Sequence, residues 1–305
     1  MDGARLRVIT GPTASGKSAV AMRLAERIPL GIVSADSRQI YRGFDIGTAK
    51  PTPEERARVP HYGIDVVSPE QRYSAAAWAD DAQRWLEAIT ATARTPVIVG
   101  GTGFYLRALT QPLFEEPALD PARRARLLAA LDALDTAELR RWCRRLDPAR
   151  AELGRTQLLR AVEIVLLTGV PISRWHRESS RPPRARARYL VIDPGAALAA
   201  AIERRVDAMF TAGWLAEVER LRVAVPPDAP AWKATGYGAV RDWVEGRLTS
   251  DAARQRVIVE TRQYAKRQRT WFRHQLPDAE VTRIDPRAPE AMEAAWRWWQ
   301  RGDEA

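Results

Sequence analysis

Residues 6–18, LRVITGPTASGKS, decide the fold of this chain. The first five residues are mostly apolar and predict a short buried strand, and a helical pattern begins at Ala19. Between them, GPTASGKS matches G-x-x-x-x-G-K-[ST], a loop whose backbone amides surround phosphate oxygens and whose lysine adds a positive charge. The sequence therefore predicts a phosphate-binding loop, with Ser18 as a magnesium ligand, formed by Gly11, Pro12, Thr13, Ala14, Ser15, Gly16, Lys17 and Ser18.

Strand and helix patterns alternate along the rest of the first third of the chain. Apolar strands are predicted at residues 32–34 and 96–99, with a helix at 74–92 that begins after Ser74 as its N-cap. Later strands are predicted at 189–192 and 280–284, and helices at 250–273 and 289–301. This alternation predicts an α/β fold: a P-loop NTPase-like parallel sheet with helices on both faces.

Residues 120–178 contain only helical patterns, and the Pro/Arg segment RPPRARAR leads from them back into a strand. We therefore predict a small all-helical domain at 120–185, inserted into a catalytic core formed by residues 1–119 and 186–305.

The bulk composition restricts the class of protein. The 305 residues are 46% apolar and carry a formal net charge of +10, which favours an anionic partner such as nucleic acid or phosphate. No apolar run approaches the roughly 18 to 20 residues of a membrane span, so no membrane association is expected. Cys143 is the only cysteine, which excludes an intrachain disulfide and agrees with a cytoplasmic location.

The phosphate loop alone leaves the reaction open. The strand at 96–99 ends in glycines, whereas a nucleotide hydrolase or kinase usually has an acidic residue at such a position. Asp36, which follows the second strand, can serve as a magnesium partner or as a base. The bound anion can therefore be ATP or a pyrophosphate without a nucleoside.

A basic face is predicted on the helix after Ser250. Arg262, Lys266, Arg269 and Arg273 are spaced by four, three and four residues, which places them on one side of the helix. Such a stripe suits an RNA backbone.

Six motifs occur in one order along the chain: GPTASGKS, DSRQIYRGFDIGTAKP, VGGTGFYLRAL, QLLRAVEI, WKATGYG and TRQYAKRQRTWFR. In this the chain resembles the tRNA dimethylallyltransferases, also called tRNA isopentenyltransferases, of bacterial type. The resemblance runs from about Thr10 to Arg273. Two segments depart from the family pattern: HYGID at 61–65, so that His61 is given no role, and the stretch at Gly238 and Ala239.

The resemblance implies transfer of a dimethylallyl group from dimethylallyl pyrophosphate to N6 of an adenosine. That adenosine lies immediately 3′ of the anticodon in tRNAs that read codons beginning with U. It also implies Mg²⁺ as the cofactor, no hydrolysis of ATP, a monomer, and a partner that presents its anticodon stem-loop. A P-loop small-molecule kinase and an adenylate isopentenyltransferase acting on free AMP are the alternatives.

The resemblance also assigns roles to residues at matching motif positions. Asp36 is expected to take the proton from N6, Lys17 and Arg205 to hold the pyrophosphate, and Thr102 to line the reaction channel. The residues expected to contact tRNA are Asp36, Ser37, Arg38, Gln39, Thr102, Arg124, Thr156, Gln157, Leu158, Leu159, Arg160, Lys233, Ala234, Thr235, Gly236, Tyr237, Gly238, Lys266, Arg267, Gln268, Arg269, Thr270, Trp271, Phe272 and Arg273.

Overall fold

The computed structural model describes residues 5–114, 119–178 and 180–301. Its strands are β1 (Leu6–Thr10), β2 (Leu30–Ser34), β3 (His61–Tyr62), β4 (Thr95–Gly100), β5 (Leu113–Phe114), β6 (Ser180–Arg181), β7 (Ala187–Ile192) and β8 (Val281–Ile284). The helices are α1 (Lys17–Leu24), α2 (Pro53–Arg58), α3 (Ala75–Ala91), α4 (Gly103–Thr110), α5 (Pro121–Asp132), α6 (Thr136–Leu146), α7 (Arg155–Thr168), α8 (Ile172–Glu178), α9 (Leu198–Thr211), α10 (Trp214–Ala224), α11 (Tyr237–Val244), α12 (Ser250–His274) and α13 (Ala291–Gln300).

The chain divides into two compact units. One joins the residues up to Thr110 with those from Ala185 onward, and the other is Gln111–Arg184. The helical insertion was predicted at 120–185. The compact unit begins earlier, at Gln111, because β5 pairs with β6 in a short antiparallel ribbon.

The first unit contains a parallel sheet of strand order β3-β2-β4-β1-β7-β8. Register pairs include Val8 with Ile98 and Val8 with Tyr189, so β1 lies between β4 and β7. The predicted α/β fold with a parallel sheet is confirmed. The short strand β3 and the helix α2 had no counterpart in the sequence-based prediction.

Successive side chains of each strand point to opposite faces of the sheet, and each face packs against a layer of helices. On one face, Ile9 and Val97 pack with α1 and with Trp298 of α13. On the other face, α3 approaches β2 so closely that a Cβ on Gly31 would lie 2.5 Å from Ile89. Ser74 caps α3 as predicted, and accepts a hydrogen bond from Ala77 N. Helices therefore cover both faces of the sheet, as predicted.

A separate apolar cluster holds the segment that follows β2. Ile40, Tyr41 and Phe44 are buried among residues of α9, α10, α11 and α12. Burying these side chains contributes on the order of 1.5–3 kcal/mol each, so the segment is part of the core rather than a free loop.

The second unit has a small core of its own, built from α5, α6, α7 and α8. It includes Leu131, Leu139, Leu158 and Val162, together with the buried Cys143. Within the described residues no single helix is long and apolar enough to cross a membrane, although the bent pair α7 and α8 passes by length and composition together.

Candidate active site

The carboxyl ends of the central strands bring the predicted catalytic residues to one edge of the sheet. Residues 11–18 follow β1, Asp36 follows β2, residues 101–103 follow β4, and Asp193 follows β7. Ligands of open parallel α/β sheets bind at this edge. The candidate site is therefore the crevice around Asp36 and the phosphate loop.

The phosphate loop has the conformation that its glycines allow. Gly16 lies in the left-handed region at φ 90° and caps α1, and Ser15 N donates to Pro12 O over 3.2 Å. The first amides of a helix lack partners within the helix, so those of Lys17 and Ser18 are available to an anion. The side chain of Lys17 turns back toward the loop, with Nζ 3.4 Å from Pro12 O.

Three charged groups act on one another at this edge. Burial and the nearby charge of Arg205 lower the pKa of Lys17 to about 8, while Asp36 acts in the opposite direction. Burial also lowers the pKa of Arg205, again opposed by Asp36. Two cations held together against one carboxylate leave an excess of positive charge, which a bound anion would offset.

A cavity at this edge has both polar and apolar lining residues. The polar ones include Thr13, Asp36 and Arg205, and the apolar ones include Val206, Met209, Trp214 and Val257. The remaining lining residues are Arg38, Gly47, Thr48, Ala234, Thr235, Thr261 and Tyr264. The cavity therefore has the character required for an anionic group attached to a short hydrocarbon.

Thr102 lies in a hydrogen-bonded group beside Asp36. Its Oγ1 accepts from Ser37 N over 3.0 Å, and Tyr264 forms a side-chain hydrogen bond with it. Burial and the charge of Asp36 raise the pKa of Tyr264 to about 12, so this tyrosine stays protonated. Asp36 Oδ1 accepts from Arg38 N over 2.8 Å. The structure thus brings together Asp36, Thr102, Lys17 and Arg205.

Glu217 holds the segment that carries Asp36, and the sequence reading missed it. This glutamate is 1% exposed, and it accepts from Asp45 N at 3.0 Å, Ile46 N at 2.7 Å and the Tyr237 hydroxyl at 2.6 Å. It lies on the apolar side of α10 with Trp214, Val218 and Leu221. The sequence did contain one indication that Glu217 is buried, because its neighbours on the same side of the helix are apolar.

The predicted basic face of α12 is only partly free. Arg262 pairs with Glu203. Arg269 donates to Asp193 Oδ2 at 3.0 Å and to Gly195 O at 2.5 Å, which ties the helix to the loop after β7. Lys266 and Arg273 are exposed and pair with no carboxylate in the part of the chain that the structure describes.

Several residues predicted to contact tRNA have buried side chains. Leu158, Ala234, Tyr237 and Phe272 are at most 5% exposed. Their side chains pack in apolar cores. These side chains are not exposed to a partner in this structure, and the tRNA contacts assigned to the four residues stay a prediction. Their neighbours Lys233, Thr156 and Gln157 are exposed.

In the second unit, Arg124 and Arg160 share one buried carboxylate. Arg124 Nε lies 2.6 Å from Glu163 Oε1, and Arg160 binds the other oxygen of Glu163, which is 1% exposed. This network fixes α5 against α7. The two arginines, both predicted to contact tRNA, therefore also stabilise the unit that carries them.

Phe104 is a second residue that the sequence reading missed. Its ring is 59% exposed, although it lies two positions after Thr102. A bulky exposed aromatic ring next to a polar site can stack on a base.

Comparison with known proteins gives a consistent family. The profile described as IPP transferase matches residues 39–275, and one described as isopentenyl transferase matches residues 4–65. A tRNA dimethylallyltransferase of Thermus thermophilus is 39% identical over 298 residues, with 96% of this chain and 97% of that protein covered.

Two solved structures have the same fold. The tRNA isopentenylpyrophosphate transferase of Staphylococcus epidermidis aligns with a TM-score of 0.68 and 28% identity, covering 99% of this chain and 100% of that one. A eukaryotic dimethylallyltransferase acting on tRNA aligns with a TM-score of 0.78 and 25% identity, covering 97% of this chain and 77% of that one. With the profile match over most of its length, the chain belongs to the IPP transferase family, as a tRNA dimethylallyltransferase.

Proposed function

We propose that this chain transfers the dimethylallyl group of dimethylallyl pyrophosphate to N6 of the adenosine immediately 3′ of the anticodon in tRNAs that read codons beginning with U. The observation that carries the proposal is the cavity whose lining combines Asp36 and Arg205 with the apolar side chains of Met209 and Trp214. This combination fits an allylic pyrophosphate next to a proton acceptor.

The pyrophosphate is held beside the phosphate loop. Lys17 and Arg205 supply charge, and the loop amides at the start of α1 supply donors. As the allylic C–O bond breaks, negative charge grows on the leaving oxygen, and groups already in place stabilise it.

Asp36 serves as the base. The lone pair of the adenine N6 is delocalised into the ring, so attack requires removal of a proton from that amine. In the step, a C–N bond forms between N6 and the allylic carbon, the C–O bond breaks, and pyrophosphate leaves. The N6 proton passes to Asp36. Thr102 and Tyr264, hydrogen-bonded beside Asp36, line the path of the adenine.

Magnesium fits the site as a substrate-bound ion. The protein ligand that we propose for it is the hydroxyl of Ser18, at the start of α1 and directly after Lys17. Mg²⁺ commonly retains waters and binds substrate phosphates with few protein ligands. Its contribution there would be to neutralise charge on the pyrophosphate.

The partner proposed is the anticodon stem-loop of tRNA. Lys266, Arg273 and Lys233 are exposed cations, and the chain has a net charge of +10, which suits phosphate contacts. Because a stacked adenine cannot reach Asp36, the base is expected to be flipped out of the loop. We further propose that the chain acts as a monomer in the cytoplasm, where its single cysteine, the buried Cys143, would stay a thiol.

The test is product formation. The protein is incubated with dimethylallyl pyrophosphate, Mg²⁺ and undermodified tRNA, and the digested RNA is analysed by nucleoside mass spectrometry. Isopentenyladenosine in the tRNA is the expected product. Prenylation of free AMP in preference to tRNA, or turnover of ATP without tRNA, would replace the proposal by one of the two alternatives.

A further inference from the structure

Gln268 lies at a junction of the candidate site. It is 6% exposed on the buried side of α12, among Ala265 and Phe272. Its side-chain amide connects two loops: Oε1 accepts from Thr13 N at 2.8 Å, and Nε2 donates to Gly101 O at 2.8 Å. One side chain therefore satisfies one donor of the phosphate loop and one acceptor of the loop after β4.

The two bonds constrain opposite halves of the reaction. Thr13 belongs to the loop that is proposed to hold the pyrophosphate. Gly101 precedes Thr102, whose N–H donates to Ala35 O at 3.0 Å and whose hydroxyl binds Ser37 N, next to Asp36. The connection thus runs from the leaving-group side, through Gln268, to the base.

The packing around Gln268 leaves little freedom for another arrangement. A Cβ on Gly101 would lie 2.3 Å from Gln268 Nε2, so a side chain there would displace the amide of Gln268 from this position. A Cβ on Gly103 would lie 2.3 Å from the ring of Trp271, one helical turn further along. The adjacent Arg269 is bound to Asp193 and Gly195. Consecutive residues of α12 therefore tie down the loops after β1, β4 and β7.

The bond also changes the count of anion donors. Thr13 N–H points to Gln268 and Ser15 N–H to Pro12, so neither is available to a phosphate oxygen in this conformation. The donors that remain are the amides of Ala14, Gly16, Lys17 and Ser18, with the side chains of Lys17 and Arg205. This refines the prediction that all of the residues 11–18 form the phosphate-binding loop, because two of its amides are already bonded within the protein.

We propose that Gln268 is a positioning residue rather than a tRNA contact. It fixes the position of the phosphate loop relative to the loop after β4, which carries Thr102. The inference rests on the proposed function, because it concerns the alignment of the allylic carbon with N6. A misplacement of about 1 Å between reacting groups can cost on the order of 100-fold in rate.

The experiment uses Gln268→Leu, which removes both bonds, and Gln268→Glu, which keeps the acceptor for Thr13 N but opposes a carboxylate to Gly101 O. Gln263→Leu, at an exposed position of the same helix, is the matched control. Single-turnover rates are measured at saturating dimethylallyl pyrophosphate and tRNA. We expect a loss of about 10- to 100-fold for Gln268→Leu, a smaller loss for Gln268→Glu, and no loss for the control.

Two binding measurements separate the competing roles. Affinity for tRNA should stay within about twofold of wild type in Gln268→Leu, whereas affinity for inorganic pyrophosphate with Mg²⁺ should fall by at least about threefold, because the loop is no longer preorganised. A saturating rate equal to wild type, with only a lowered melting temperature, would reduce Gln268 to a structural residue and overturn the inference. So would a defect that disappears at saturating tRNA.

A wild-type chain that forms no isopentenyladenosine would refute the proposed function instead. Pyrophosphate binding then decides the role of Gln268 by itself. Weaker binding in Gln268→Leu supports positioning of the phosphate loop, and unchanged binding overturns it.

Discussion

Removal of the Glu217 carboxylate should cost more stability than any change at an exposed glutamate of the same helix. The carboxylate is buried and accepts from two backbone amides and a tyrosine hydroxyl at distances between 2.6 and 3.0 Å. Hydrogen bonds to a charged acceptor contribute about 1.5–3 kcal/mol each. Water that enters the space left by alanine would replace part of this, so Glu217→Ala should lower the free energy of unfolding by about 3–5 kcal/mol.

The assay is urea unfolding followed by tryptophan fluorescence, with Glu219→Ala as the control, since Glu219 lies exposed on the same helix. The control should change the free energy of unfolding by less than about 0.5 kcal/mol. Glu217→Gln keeps the volume of the side chain, so a loss in that variant arises from hydrogen bonding rather than from a cavity. If both Glu217 variants unfold within about 1 kcal/mol of wild type, then the carboxylate does not hold the segment before Thr48.

Four other outcomes are expected. Asp36→Asn should keep tRNA affinity but slow single-turnover transfer by about 10² to 10⁴, and a rate within threefold of wild type would show that Asp36 is not the base. Burial lowers the pKa of Lys17 from 10.5 to about 8, so its charge is present below that pH and lost above it. Affinity for dimethylallyl pyrophosphate should therefore fall as pH rises through about 8. In Lys17→Ala, the plot of affinity against pH should lack this fall. Lys266→Ala and Arg273→Ala should each lower the slope of log affinity for tRNA against log salt by about 1, and unchanged slopes would exclude these phosphate contacts. Arg269→Ala should instead lower the melting temperature with little change in that slope, because its guanidinium is bound to Asp193; a lowered slope without loss of stability would restore it to the RNA surface.

The parts of the site that could be predicted from the sequence are those encoded in consecutive residues. The phosphate loop follows from eight adjacent positions, and Asp36 from its place directly after a buried strand. Both predictions rest on a general property of parallel sheets, whose carboxyl ends meet at one edge. The order of the strands was not needed to place these two features together.

The roles that were missed depend on contacts between distant parts of the chain. Gln268 binds Thr13 across 255 positions, and Glu217 binds Asp45 across 172. In a long basic or amphipathic helix, the sequence alone does not reveal whether a polar side chain faces solvent or contacts a loop. Only the position of Glu217 among apolar neighbours three and four residues away indicated that it is buried.

The same argument applies to α12. Its helical structure was predicted correctly, but the sequence did not show that one arginine of its basic face is bound to another loop. In α12, Ala265, Gln268 and Phe272 form the buried stripe, and Lys266, Arg269 and Arg273 lie one residue later along it, about 100° around the axis. A side chain at that angle lies near the rim of the buried face. Arg269 can therefore reach back to Asp193, whereas Lys266 and Arg273 remain in solvent. Spacing places the three cations on one face, but the contact with the loop after β7 removes Arg269 from the set that is proposed to bind RNA phosphates.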